Sequence, residues 1–161
     1  KLLNQEISET VSPYIVDESE RVCIEDVESP EEVRNFVRIG QRAPLFIGAG
    51  KCLLAFLDKE LRDRILAEGA AAGKLGRPRE ELEQELRRIR ERGYDFTVNE
   101  RRVGLFSISA PLLNHEGKLA AGLTVSGPIQ RLHKNRIPHL VEQVKDAAER
   151  ISRELGYVKK E

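Results

Sequence analysis

A chain of 161 residues is long enough for one domain with its own core. Its 27 Lys and Arg balance its 27 Asp and Glu, which argues against a surface built for nucleic-acid phosphates. No apolar run approaches the roughly 20 residues of a membrane span, no signal peptide is visible, and two widely spaced cysteines, Cys23 and Cys52, suit a reducing cytoplasm better than a disulfide framework.

The first residue is Lys1 rather than Met, which fits a fragment or a processed chain, and residues 1–6 read as the last turn of a helix begun upstream. Residues 10–17 alternate as a strand, and Pro13, which cannot donate to a ladder, places that strand at an edge or starts it. Residues 17–20 form a turn into a partner strand over 21–27, with Val22, Ile24 and Asp26 sharing one face. A third strand is expected over 35–39 and a loop over 40–44. Gly48, Ala49 and Gly50 then open a strongly apolar helix. Such a helix start can hold a carboxylate on its free N–H groups, or it can serve close packing against a strand. The phosphate-loop spacing is absent.

A second helix runs over 58–68 with Asp58 as N-cap and Leu61, Ile65 and Leu66 inward. Residues 69–76 form a flexible connection. A third helix opens at Pro78, carries the stripe Leu82, Leu86 and Ile89, and stops at Gly93. Its arginines read as a solvated face. Residues 94–98 make a short strand and 99–102 a polar turn. A long amphipathic helix over 136–155 closes the chain at Gly156.

The stretch 103–128 carries the most information. Two apolar runs flank the tetrad Asn114-His115-Glu116-Gly117, a strand–turn–strand pattern. With Leu113 paired to Lys118, Ser107 lies opposite Thr124 and Leu105 opposite Ser126. One face then carries Phe106, Ile108, Ala110 and Leu112 beside Leu119, Ala121, Leu123 and Val125. The other carries Leu105, Ser107 and Ser109 beside Gly122, Thr124 and Ser126: small or hydroxyl-bearing residues that leave room for a polar guest. A half-exposed sheet face is the plainer alternative.

Catalytic signals are weak. His115, His133 and His139 make no metal-ligand spacing. No serine sits in a nucleophile elbow. Cys52, just inside a helix start, is either an acidified thiol, and so the nucleophile of a small enzyme, or a small packing residue.

In order along the chain, Ser8-Glu9-Thr10-Val11, Arg38-Ile39-Gly40 with Pro44-Leu45, residues 50–57 (GKCLLAFL), Arg92-Gly93-Tyr94, residues 104–111 and Val125-Ser126-Gly127-Pro128 resemble the effector-binding domain of the IclR family of bacterial transcriptional regulators. The resemblance spans residues 1–161. It implies an α+β, GAF-like fold, an antiparallel sheet of about six strands flanked by helices, with residues 1–6 ending a linker helix. It implies no enzyme activity, no cofactor and no metal. It implies a small-molecule effector, an organic or aromatic acid and so a carboxylate. Assembly would be a homodimer or homotetramer. Operator DNA would be bound only through an N-terminal winged helix-turn-helix outside this chain, with no membrane partner. The family's ligand positions map onto Ala49, Gly50, Thr97, Leu105, Ser107, Thr124 and Ser126. The chain departs from the family in having Phe46 near a common histidine, Thr97 at a commonly acidic position, and one residue fewer between Pro44 and Lys51. A ligand-free oligomerisation module is the remaining alternative.

Overall fold

In the computed structural model, which describes residues 1–158, six strands form one antiparallel sheet: β1 (Thr10–Asp17), β2 (Glu20–Cys23), β3 (Arg42–Pro44), β4 (Asp95–Val98), β5 (Leu105–Leu113) and β6 (Leu119–Pro128). Their order across the sheet is β3-β2-β1-β6-β5-β4. Among the described residues five α-helices, α1 (Leu2–Ile7), α2 (Gly50–Phe56), α3 (Lys59–Ala71), α4 (Arg79–Arg92) and α5 (Arg136–Glu154), and one 3-10 turn, Ile129–Arg131, accompany the sheet. The α+β expectation of about six strands flanked by helices therefore holds.

The sheet separates two cores. On one side α1 and α5 bury Leu3, Ile7, Leu140, Val144 and Ala148 against Phe106, Ile108, Ala110, Leu123 and Val125. On the other, α2, α3 and α4 bury Leu53, Leu54, Ile65, Leu66, Leu86 and Ile89 against Tyr14 and Cys23 of the sheet. Each fully buried Leu or Ile contributes about 1.5–3 kcal/mol of transfer free energy. The stripe Leu82, Leu86 and Ile89 is buried as its spacing requires, and Gly93 ends α4 with φ 80°, a conformation costly for other residues.

Four sequence expectations change. First, β1 is interior, flanked by β2 and β6. Pro13 is tolerated because its carbonyl accepts from Ile24 just where β2 has ended, so the side on which its N–H is missing meets no remaining ladder. Second, residues 35–39 are not a strand. The third strand is Arg42–Pro44, pairing Ala43 with Arg21, and Phe36 and Ile39 are exposed.

Third, β2 ends at Cys23 and its buried residues are Arg21 and Cys23, opposite in phase to Val22 and Ile24. Fourth, the central hairpin is shifted by two: Ser107 faces Ser126 and Ser109 faces Thr124. Asn114 Oδ1 accepts from the N–H groups of Glu116 and Lys118, which tightens the turn, and an irregularity at Leu112/Leu113 leaves Ala120 unpaired. A shift of two keeps every side chain on its face. Only Leu119, beyond the irregularity, changes sides and packs on the α2 core.

Smaller differences follow from packing. Helix α3 continues to Ala71 because Gly69 lies under Phe46, where a Cβ would fall 2.5 Å from the ring. Leu155 lies beyond the end of α5 and is exposed.

Candidate functional site

Residues of five strands, β1, β2, β4, β5 and β6, and one helix start meet around a hollow of about 40 Å3. On that measure a water needs roughly 10–15 Å3, so the space suits a compact guest. Of the seven sequence-derived positions, Ala49, Thr97, Leu105, Ser107, Thr124 and Ser126 line it. Gly50 does not. A Cβ there would lie 2.5 Å from the Pro44 carbonyl oxygen, so this glycine lets α2 pack against the chain beneath it.

The strand face explains the lining. Alternation points Thr97, Ser107, Thr124 and Ser126 toward α2, while Phe106, Ile108 and Val125 enter the opposite core. The hydroxyls are pre-arranged. Thr97 and Ser107 lie 2.7 Å apart, Ser109 and Thr124 lie 3.0 Å apart, and Asn35 Nδ2 donates to Ser126 Oγ at 2.8 Å. Each hydroxyl offers one donor and two acceptor lone pairs, so capacity remains for a guest.

The helix start is less available than its sequence suggests. Glu100 already accepts from the Gly48 N–H at 2.8 Å, and the Gly50 N–H donates to Ile47. Glu100 also accepts from Lys51 Nζ. Lys51 is wholly buried, bonds Glu85 as well, and lies 3.6 Å from Asp95. Arg77 pairs with Glu85 and Arg92 with Asp95, so three cations meet three carboxylates. Burial alone would lower the Lys51 pKa, but Asp95, Glu100 and Glu85 together raise it. Burial raises that of Asp95 despite Lys51 and Arg92.

Sequence reasoning missed the hollow's cationic wall. Arg21 is 3% exposed, lines the hollow, and stacks 4.4 Å over the Tyr14 ring. Its Nε and Nη1 are buried without a hydrogen-bond partner. Burial lowers its pKa to about 10. Arg101, half-buried, and Arg102, exposed, line the same space. A signal for Arg21 was present. The tight turn pairs Asp17 with Glu20, so inward Tyr14 and Val16 force Cys23 and Arg21 inward as well.

Cys52 is not an available nucleophile. Its thiol is wholly buried, lies 3.4 Å from the Ser109 carbonyl oxygen, and has its pKa pushed strongly upward by burial. Cys23 is also a free, buried thiol. Among the described residues no cluster of three or more His, Cys, Asp or Glu is placed to hold a metal. No helix among them is long and apolar enough to cross a membrane.

A six-stranded antiparallel sheet with helices on both faces and a polar hollow at one helix start defines the class of fold. Residues 1–153 match the family described as bacterial transcriptional regulator IclR C-terminal. The chain is 34% identical to the HTH-type transcriptional regulator KipR of Bacillus subtilis, covering 96% of this chain and 64% of that protein. It is 33% identical to the HTH-type transcriptional regulator KdgR of Escherichia coli, covering 96% and 60%. The structure of the C-terminal domain of E. coli KdgR is similar with a TM-score of 0.80 at 30% identity, covering 97% of this chain and 93% of that one. Thermotoga maritima IclR gives 0.84 at 29% identity, covering 96% and 64%. This chain belongs to the IclR family, as its C-terminal domain, and that family consists of transcriptional regulators rather than enzymes. It spans less than two thirds of the length of these full-length relatives.

Proposed function

We propose that this chain is the ligand-sensing domain of a cytoplasmic bacterial transcriptional regulator. It binds a small carboxylate in the hollow, and its occupancy modulates operator binding by a DNA-binding domain outside this chain. The assembled protein is a homodimer or homotetramer. The supporting observation is the convergence of β4, β5 and β6 hydroxyls with a cationic wall in one small space. Thr97, Ser107, Thr124 and Ser126 hydrogen-bond the acid's oxygens, Ala49 closes the helix side, and Leu105 covers its carbon body. Gly50 acts behind them by setting how closely α2 approaches. Binding alters transcription only to the extent that the ligand favours one assembly geometry over another.

A thermal-shift screen of small organic acids tests this reading, with the best hit followed by calorimetry. Ser107→Leu combined with Thr124→Leu fills the hollow and is expected to weaken binding by at least about tenfold. Unchanged affinity in the double variant would show that the acid binds elsewhere.

A further inference from the structure

The ligand class can be narrowed from the charges around the hollow, given the proposed reading of that hollow as the effector site. Arg21 is the unusual group. A buried guanidinium is ordinarily tied by hydrogen bonds to carboxylates or carbonyls, because burying its charge unpaired is costly. Here Nε and Nη1 have no hydrogen-bond partner among the described residues, and the guanidinium stacks over the Tyr14 ring.

Arg101 sharpens the point. It lines the same hollow, forms no ion pair with any described residue, and burial together with neighbouring Arg102 lowers its pKa. Arg101 also adds to the burial effect on Arg21, so the two guanidiniums repel. Among the described residues the one carboxylate on the hollow's wall, Glu100, is already committed to Lys51 and to the Gly48 N–H. The Lys51 cluster is balanced without any help from the hollow. The excess positive charge facing the hollow is therefore at least two, and a monoanion leaves half of it uncompensated.

We infer that the effector is a compact dicarboxylate, one carboxylate held by Arg21 at the buried end and the other by Arg101 toward the mouth. The small volume limits the diacid to roughly two to four carbons in total, its carboxylates included. The hydroxyls of Ser107 and Ser126 then serve orientation, and the two arginines carry the discrimination. A guanidinium fork suits the planar carboxylate in a way that a point charge does not.

The test is calorimetric titration of the 161-residue chain with oxalate, malonate and succinate, against acetate, propionate and butyrate. Sulfate is included as a compact dianion with a single centre. The best diacid is expected to bind at least about tenfold tighter than its matched monoacid and than sulfate. Arg21→Gln and Arg101→Gln are each expected to remove most of that advantage. Both variants should remain folded by circular dichroism, because each removes an unpaired cation rather than a partnered one. Equal binding of monoacids and diacids, sulfate binding as tight as the best diacid, or an unaltered diacid preference in folded Arg21→Gln would each overturn the inference and leave the acid-sensing site standing. Absence of binding by every acid would overturn both.

Discussion

Lys51 and Arg21 are both buried cations on the same side of one sheet, yet their surroundings differ completely. Lys51 touches Glu85 and Glu100 and sits beside Asp95. Arg21 touches an aromatic ring and leaves two nitrogens unpaired. A saturated cation is part of the scaffold, since its desolvation is offset within the chain. An unsaturated one holds a cost that only something from outside can relieve. Glu9 extends the contrast to a buried anion. It is 0% exposed and accepts from Arg131 and Arg136, which ties the start of β1 to the approach to α5.

The largest loss comes from Lys51→Met, which leaves Glu100 without its cation and Glu85 and Asp95 with one arginine each. Chemical denaturation should show about 3–5 kcal/mol of lost stability. A loss below 1 kcal/mol would mean the cluster is well hydrated and not a scaffold element. Gly127→Ala comes next. The added Cβ would lie 2.3 Å from Glu9 Oε2, displacing the carboxylate from its arginines, with an expected cost of about 2–3 kcal/mol.

Arg21→Met should run the other way. Removing an orphaned charge at similar side-chain length is expected to stabilise the ligand-free domain by about 1 kcal/mol, after loss of the cation–π contact. That corresponds to a rise of roughly 2–4 °C in Tm. A fall in Tm would show that Arg21 is satisfied in solution. Smallest of all is a pH effect at Asp95, whose folded pKa lies above its unfolded value near 4 because of burial. The folded state then holds the proton more tightly, so this group's contribution to stability is greatest at low pH and is lost as pH rises through that window. Asp95→Asn should remove this downward slope from the stability–pH profile just above pH ~4, and an identical slope in both proteins would reject the assignment.

Most of the fold could be read from pattern. Helix stripes, the Gly93 stop and the two faces of the central hairpin follow from periods of 3.6 and 2. The hairpin's exact pairing was not legible, because it depends on how Asn114 folds its side chain back over the turn. Residues 35–39 have apolar composition but do not join the sheet, and the position beside β2 is taken by β3. Six of the seven site positions line one hollow because strand alternation brings them there, and Gly50 stands apart because close packing and ligand access look alike in a glycine. Arg21 was missed for a different reason. An arginine on a short strand reads as solvent-facing unless the hairpin phase is followed through the turn at residues 17–20.

The alternation of β5 and β6 has a further consequence for how such a domain diversifies. Ser107, Thr124 and Ser126 each sit between neighbours that serve the other core, Phe106, Ile108 and Val125 among them. Under the proposed function, a replacement at a hydroxyl position can therefore change which molecule is recognised without repacking the layer beneath α5. On that reading, selectivity and folding robustness are inherited largely on interleaved residues, with Phe106 shared between the hollow and the α5 core.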